Sequence, residues 1–247
     1  MPADRVSATV TSIAVLESLR QQGTAGVTAV ADDIGGSKAN VHKHLATLED
    51  AHFVRSQDGE YQLAHRFLEF GLSAKRHEPV YRAGVDNLAK LADVTGSTTV
   101  LVVREGHEAV YLHTVVPVGQ VGTTALEGKR APLPDVPGGL AILSSYPPET
   151  RRSLIDATVE DPDRMADVLD RLDTAERESV VVTQSDDDDS GPKEVIAPVT
   201  TDNGDPVGAV GLRNPTADNE GPRIETHLRK LVRNTAGTIS NRIALTE

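Results

Sequence analysis

Residues 37–63, SKANVHKHLATLEDAHFVRSQDGEYQL, decide how the N-terminal part of this chain folds. Ser37 is a helix-capping residue type, because its hydroxyl can accept from backbone N–H groups of the first turn. After it, Val41, Leu45 and Leu48 recur at i, i+4 and i+7. That spacing predicts one buried face of a helix running to about Ala51. Phe53-Val54-Arg55 and Glu60-Tyr61-Gln62-Leu63 then flank Asp58-Gly59, a dipeptide suited to a tight hairpin turn. Working outward, Gly35-Gly36 breaks the chain ahead of Ser37, and Thr28 is the expected N-cap of a short helix over 29–34. Further back, Ser7–Gln22 places Val10, Ile13, Leu16 and Leu19 at three-residue steps with Ala14 and Val15 beside them, which predicts a helix with one broad apolar face. Helix, short helix, tight turn, longer helix and hairpin is the order of a winged helix-turn-helix.

The chemistry of the third helix agrees with a DNA-reading role. With Val41, Leu45 and Leu48 inward, Ser37, Lys38, Ala39, Asn40, His42 and Lys43 occupy its leading, exposed part. Recognition helices reach base edges with such residues. Asn can pair with adenine, Lys with guanine or phosphate, and Ser with either a base or a phosphate. A solvated amphipathic helix would look similar residue by residue; the whole pattern favours DNA. Arg55 is the wing's candidate for a phosphate or minor-groove contact, a simple surface arginine being the equal alternative. The wing tip around it, Ser56-Gln57-Asp58-Gly59-Glu60, is acidic. His44 falls three residues after Val41 and is expected to be partly buried. His42 and His44 diverge on a helix and make a poor metal pair.

Composition bounds the rest. The chain has 247 residues, enough for one large domain or two ordinary ones. Aromatics are only 3%, so Val, Leu, Ile and Ala must supply the core. Cysteine is absent, which excludes disulfides and thiolate metal sites. Apolar stretches are short and interrupted by charge, and the N-terminus shows no apolar signal core, so the expectation is a soluble cytoplasmic protein without a membrane span. The net charge of −12 is unevenly placed: residues 1–76 carry 8 basic and 9 acidic side chains, the remainder 17 and 28. Asp (21) exceeds Glu (16) and Arg (18) far exceeds Lys (7), a bias resembling proteins of salt-loving organisms. At high ionic strength the Debye length falls to roughly 3 Å, so the acidity does not prevent DNA binding. It does argue against nonspecific attachment to nucleic acid or anionic membrane.

The run from Ser37 to Gly71 resembles the DNA-binding domain of the IclR family of bacterial and archaeal regulators. The family's approximate S-T-V-H-R-L-L-A-T-L-E is matched by Ser37, Val41, His42, Leu45, Ala46, Thr47, Leu48 and Glu49, and residues 66–72 resemble its linker helix. Downstream, Pro79–Thr95 reads as a helix with Leu88 and Leu91 inward, and residues 98–103 and 109–116 as strands around Glu105-Gly106. Helices are expected at 138–143, Pro148–Asp156, 162–177 and 221–245, and strands at 180–183, 194–199 and 207–212. This order agrees with the family's GAF-like effector domain. The resemblance therefore implies an α+β protein: a winged helix-turn-helix with linker helix over 1–73 and a GAF-like effector-binding domain over 74–247. It also implies a homodimer or dimer of dimers that binds double-stranded DNA and a small organic or sugar acid.

The family's effector positions carry over one at a time. Its A-x-G-K-A-L-L corresponds to Val136-Pro137-Gly138-Gly139-Leu140-Ala141-Ile142, where the Lys is missing and Pro137 stiffens the loop. Its G-x-x-C-V-A-A-P-V aligns with Gly191 to Val199, so Pro192 belongs to the segment and Glu194 stands where many members have Cys. The acidic residue seven before that glycine aligns with Gln184. Its A-L-S-I-S-G-P resembles Ala209 to Pro215, with Gly211 and Arg213 replacing both serines. Arg213 could clamp a ligand carboxylate or phosphate, or neutralise Glu194.

Rival readings are weaker. There is no G-x-S-x-G, Walker loop or H-E-x-x-H, so an enzyme is not expected, nor a cofactor. The four carboxylates Asp186 to Asp189 lack the spacing of a calcium loop and read as a solvated segment. The stronger alternative is a sensor that does not bind DNA and uses its winged helix for protein contacts.

Overall fold

A computed structural model describes residues 5–117, 126–184, 192–215 and 222–245 of the chain. Its contacts divide into two compact units, Met1–Ala74 and Lys75–Glu247.

In the first unit, α1 (Ser7–Gln22), α2 (Val27–Asp33) and α3 (Lys38–Asp50) pack around a three-stranded antiparallel sheet of order β1-β3-β2. Its strands are β1 (Thr24–Gly26), β2 (Val54–Gln57) and β3 (Glu60–Leu63). Val15, Leu19, Val30, Val41, Leu45 and Val54 form the core. The hairpin turns at Asp58 and Gly59, whose φ values of 54° and 84° are the paired positive angles that a two-residue turn between twisted strands needs.

Two expectations are corrected here. Of the expected apolar face, Val15 and Leu19 are buried together with Ser18 and Leu16 is half-buried, whereas Val10 and Ile13 are exposed. Steps of three residues lag a 3.6-residue helix by about 60° each, so the four residues, three steps apart end to end, spread halfway round the cylinder and cannot all face inward. The second helix begins at Val27 after an extended Gly26, and Thr28 is exposed within it. The reason is β1, a short strand not expected from the sequence: it pairs Thr24 with Gln62 and Ala25 with Tyr61 and runs straight into the helix.

The helix α4 (Arg66–His77) carries the chain from the first unit into the second. There, α5 (Pro79–Thr95) precedes the hairpin of β4 (Thr98–Glu105) and β5 (Glu108–Val115). Next come β6 (Arg130–Pro132), a helical turn at Leu133–Asp135, α6 (Pro137–Ser144), α7 (Pro148–Asp156) and α8 (Pro162–Glu178). The chain closes with β7 (Val181–Gln184), β8 (Pro192–Thr200), β9 (Pro206–Arg213) and α9 (Pro222–Ala244). The six strands form one antiparallel sheet of order β6-β5-β4-β9-β8-β7, with a core on each face. On β4, Val100 and Val102 join the core under α6, α7 and α8, while Leu101 and Val103 join the one under α5 and α9. Strand alternation with a helix layer on both sides accounts for a core built almost without aromatics.

Two glycines allow the tight fit of α6. A Cβ on Gly138 would lie 2.7 Å from a Val102 methyl, and one on Gly139 would lie 2.1 Å from the Leu133 carbonyl oxygen.

Candidate nucleic-acid interface and ligand site

Ser37 adopts an extended conformation and its hydroxyl accepts from the Asn40 N–H at 3.3 Å, closing the start of α3. Val41 and Leu45 are fully buried and Leu48 is half-buried, so the helix is fixed along one side. The opposite, leading side presents Ser37, Lys38, Ala39, Asn40, His42 and Lys43, all exposed. No acidic residue stands in the first turn, where unpaired N–H groups and the helix dipole favour an anion. Arg55, on β2, is exposed too. His44 is half-buried, with Nδ1 2.8 Å from Ser12 Oγ, a tie between α3 and α1.

A support for this helix escaped sequence reading. Phe53, Phe67 and Phe70 are the chain's three phenylalanines, and all meet in one cluster. Phe53 has its ring centroid 5.2 Å from Phe67 and 5.3 Å from Phe70. The Arg66 guanidinium lies 5.0 Å over the Phe53 ring and also donates to the Ala51 carbonyl at the end of α3. Ser56 Oγ donates to Glu49 Oε1 at 2.5 Å, joining the wing to the same helix. Helix, wing and linker helix are thus bound together within the first unit.

In the second unit, strand register aligns Thr98 with Arg213, Arg213 with Glu194, and Glu194 with Thr183. A polar row therefore crosses β4, β9, β8 and β7 on the face that also carries Val100, Ile196 and Tyr111. Glu194 is buried, and Arg213 Nε stands 3.4 Å from its Oε1, longer than a strong charge-assisted hydrogen bond. Burial pushes the Glu194 carboxyl above its usual range, against the pull of Arg213 and Lys193. Burial also raises the Tyr111 phenol to about 12, with the Glu194 charge adding to it and Arg213 opposing, so Tyr111 keeps its proton. On this face, Thr114 Oγ1 and Thr183 Oγ1 are buried without a hydrogen-bond partner among the described residues.

The other expected effector positions have varied surroundings. Gly211 lies where β9 and β8 press together: a Cβ there would come 2.2 Å from the Val195 carbonyl oxygen. Val136 packs half-buried against the core at the start of α6, and Pro137 is that helix's first residue. Gln184 and Pro192 pair at the ends of β7 and β8, and their side chains lie outside the described residues. The run Asp186 to Asp189 lies outside them as well. No helix among the described residues is long and apolar enough to cross a membrane.

Comparison with known proteins agrees with this two-part architecture. The HTH-type transcriptional regulator KipR of Bacillus subtilis is 26% identical over 146 residues, 55% of this chain and 58% of that protein. A protein named Probable HTH-type transcriptional regulator ArcR, of Halobacterium salinarum, is 22% identical over 252 aligned positions, 97% of this chain and 94% of its own. Among solved structures, an IclR regulator from Alicyclobacillus acidocaldarius superposes with a TM-score of 0.76 at 20% identity, covering 97% of this chain and 99% of that one. An IclR homolog from Microbacterium hydrocarbonoxydans, solved with 4-hydroxybenzoate, gives 0.76 at 17% identity, covering 96% and 99%. Two family models match the sequence, the IclR helix-turn-helix domain over residues 11–58 and the bacterial transcriptional regulator IclR C-terminal domain over residues 75–241. Helix-turn-helix, six-stranded sheet unit and both matches together place this chain in the IclR family of DNA-binding transcriptional regulators.

Proposed function

We propose that the protein reads promoter DNA as a homodimer through the leading face of α3, and that a small metabolite held by the second unit modulates that binding. The observation that carries the proposal is the start of α3. There, six exposed side chains with hydrogen-bonding or small character stand on a capped helix whose other face is locked by Val41 and Leu45. Asn40 and Lys43 are the base readers, Lys38 and Arg55 the phosphate contacts, and Ser37 and His42 supplement them. Two copies fit the exposed apolar stripes, Val6, Val10 and Ile13 on the α1 side and Leu68 and Leu72 on α4. A two-fold pair would present two α3 helices to half-sites about one DNA turn apart. Ligand acts by favouring one arrangement of the pair over another, which requires different affinities for the two.

Promoter binding followed by fluorescence anisotropy in concentrated KCl tests the interface. Asn40→Ala and Lys43→Ala are each expected to weaken specific binding by about 1–3 kcal/mol, roughly 5- to 150-fold. Specific binding unchanged in both variants would remove α3 from the DNA. Sedimentation of the same protein, monomeric at the concentrations that bind DNA, would remove the dimer.

A further inference from the structure

Resting on the reading of the second unit as a ligand-sensing domain, we propose that its polar row takes a zwitterion. The ligand is an amino-acid-type molecule whose ammonium group meets Glu194 and whose carboxylate meets Arg213. The two residues are cross-strand partners on β8 and β9, 3.4 Å apart, at the centre of the row from Thr98 to Thr183. Each has capacity to spare. A carboxylate offers about four lone-pair positions and a guanidinium five N–H donors, yet among the described residues the pair shares one loose contact. Arg213 is more than a quarter exposed and can turn its outer N–H groups to a ligand, while the Glu194 side chain is 7% exposed.

Charge balance selects among ligand classes. A simple carboxylate would draw Arg213 away and leave Glu194 buried beside a second anion, the costly outcome for an ion pair out of water. A simple amine would do the reverse to Arg213. A molecule carrying both charges extends the pair into an alternating network and strands neither. The raised Glu194 carboxyl fits the same conclusion: burial outweighs the pull of Arg213 and Lys193, and an ammonium group brings further positive charge and N–H donors. Thr183, paired with Glu194 across β7 and β8, holds a buried hydroxyl without a hydrogen-bond partner among the described residues. That hydroxyl supplies a neutral hydrogen bond that fixes a ligand's orientation.

The test is calorimetry and thermal shift on the full-length protein in concentrated KCl. The probes are the protein L-amino acids, β-alanine and γ-aminobutyrate. Each is set beside the acid lacking its amino group and the amine lacking its carboxylate, with erythritol as a neutral polyol. At least one zwitterion is expected to bind tenfold or more tightly than both its matched compounds. Glu194→Gln, checked for folding by circular dichroism, is expected to lose tenfold or more for that zwitterion and to improve the matched acid, since Arg213 is released. Arg213→Lys, which keeps the positive charge, should retain the preference. The proposal is overturned by a matched acid or erythritol binding as well as the zwitterion, by no response across the panel, or by a preference that Glu194→Gln leaves unchanged. A matched acid that binds through Arg213 would sink the zwitterion and leave the sensing domain standing. A zwitterion that binds through both residues without altering DNA affinity would uphold the ligand class and sink the sensing role.

Discussion

On β8, Glu194 faces Arg213 across one strand pairing and Thr183 across the next, with burial opposing its charge. Because its folded carboxyl is raised above the ordinary value of 4.5, ionising it works against the fold. That loss is absent below the unfolded value and grows as pH rises toward the raised folded one. Glu194→Gln, in the absence of ligand, is therefore expected to raise the melting temperature at neutral pH, with the gain vanishing in acid near pH 4. Equal melting temperatures at both ends of the pH range would show that Arg213 offsets burial completely. Sequence reading could nominate Glu194 and Arg213 and offer their pairing as one of two alternatives; the 3.4 Å contact and its burial come from strand register, which no local pattern encodes.

At the scale of elements, α6 is held against the sheet by the absence of side chains. Gly139 has the Leu133 backbone where a Cβ would stand, whereas Gly237 on α9 has nothing within 4 Å of that position. Opposite outcomes follow from the same substitution. Gly139→Ala is expected to destabilise by about 1–3 kcal/mol or more, as overpacking does, and to disturb α6. Gly237→Ala is expected to stabilise by up to about 1 kcal/mol, by helix propensity. Urea unfolding of both variants checks this, and two effects of equal sign would contradict the packing of α6. The sequence showed Gly139 only as a departure from the family pattern, standing where the family has Lys. Likewise it marked α1 as a helix, but the face that α1 buries was settled by α3, through Val15, Leu19 and the Ser12–His44 contact.

For the molecule as a whole, a net charge of −12 with a nearly neutral N-terminal part limits how strongly electrostatics can drive DNA binding. Counterion release gives a slope of about −0.9 in log affinity against log salt per phosphate contact. With Lys38 and Arg55 as the exposed phosphate contacts of the interface, the slope should be no steeper than about −2 per half-site, and removal of either should flatten it by about 1. A much steeper slope would place the principal contacts elsewhere. Local chemistry is what the sequence by itself determined: the cap at Ser37, the Val41/Leu45/Leu48 face and the Asp58-Gly59 turn are all set by neighbours within a few residues. Tertiary structure alone decided what depends on distant partners. The strand β1 exists because β3 offers it an edge, Phe67 and Phe70 both meet Phe53, and Thr98, Arg213, Glu194 and Thr183 form one row through the order β4-β9-β8-β7. Side-chain periodicity fixes which way a residue points along its own strand or helix, while hydrogen-bond register between strands far apart in sequence fixes what it meets.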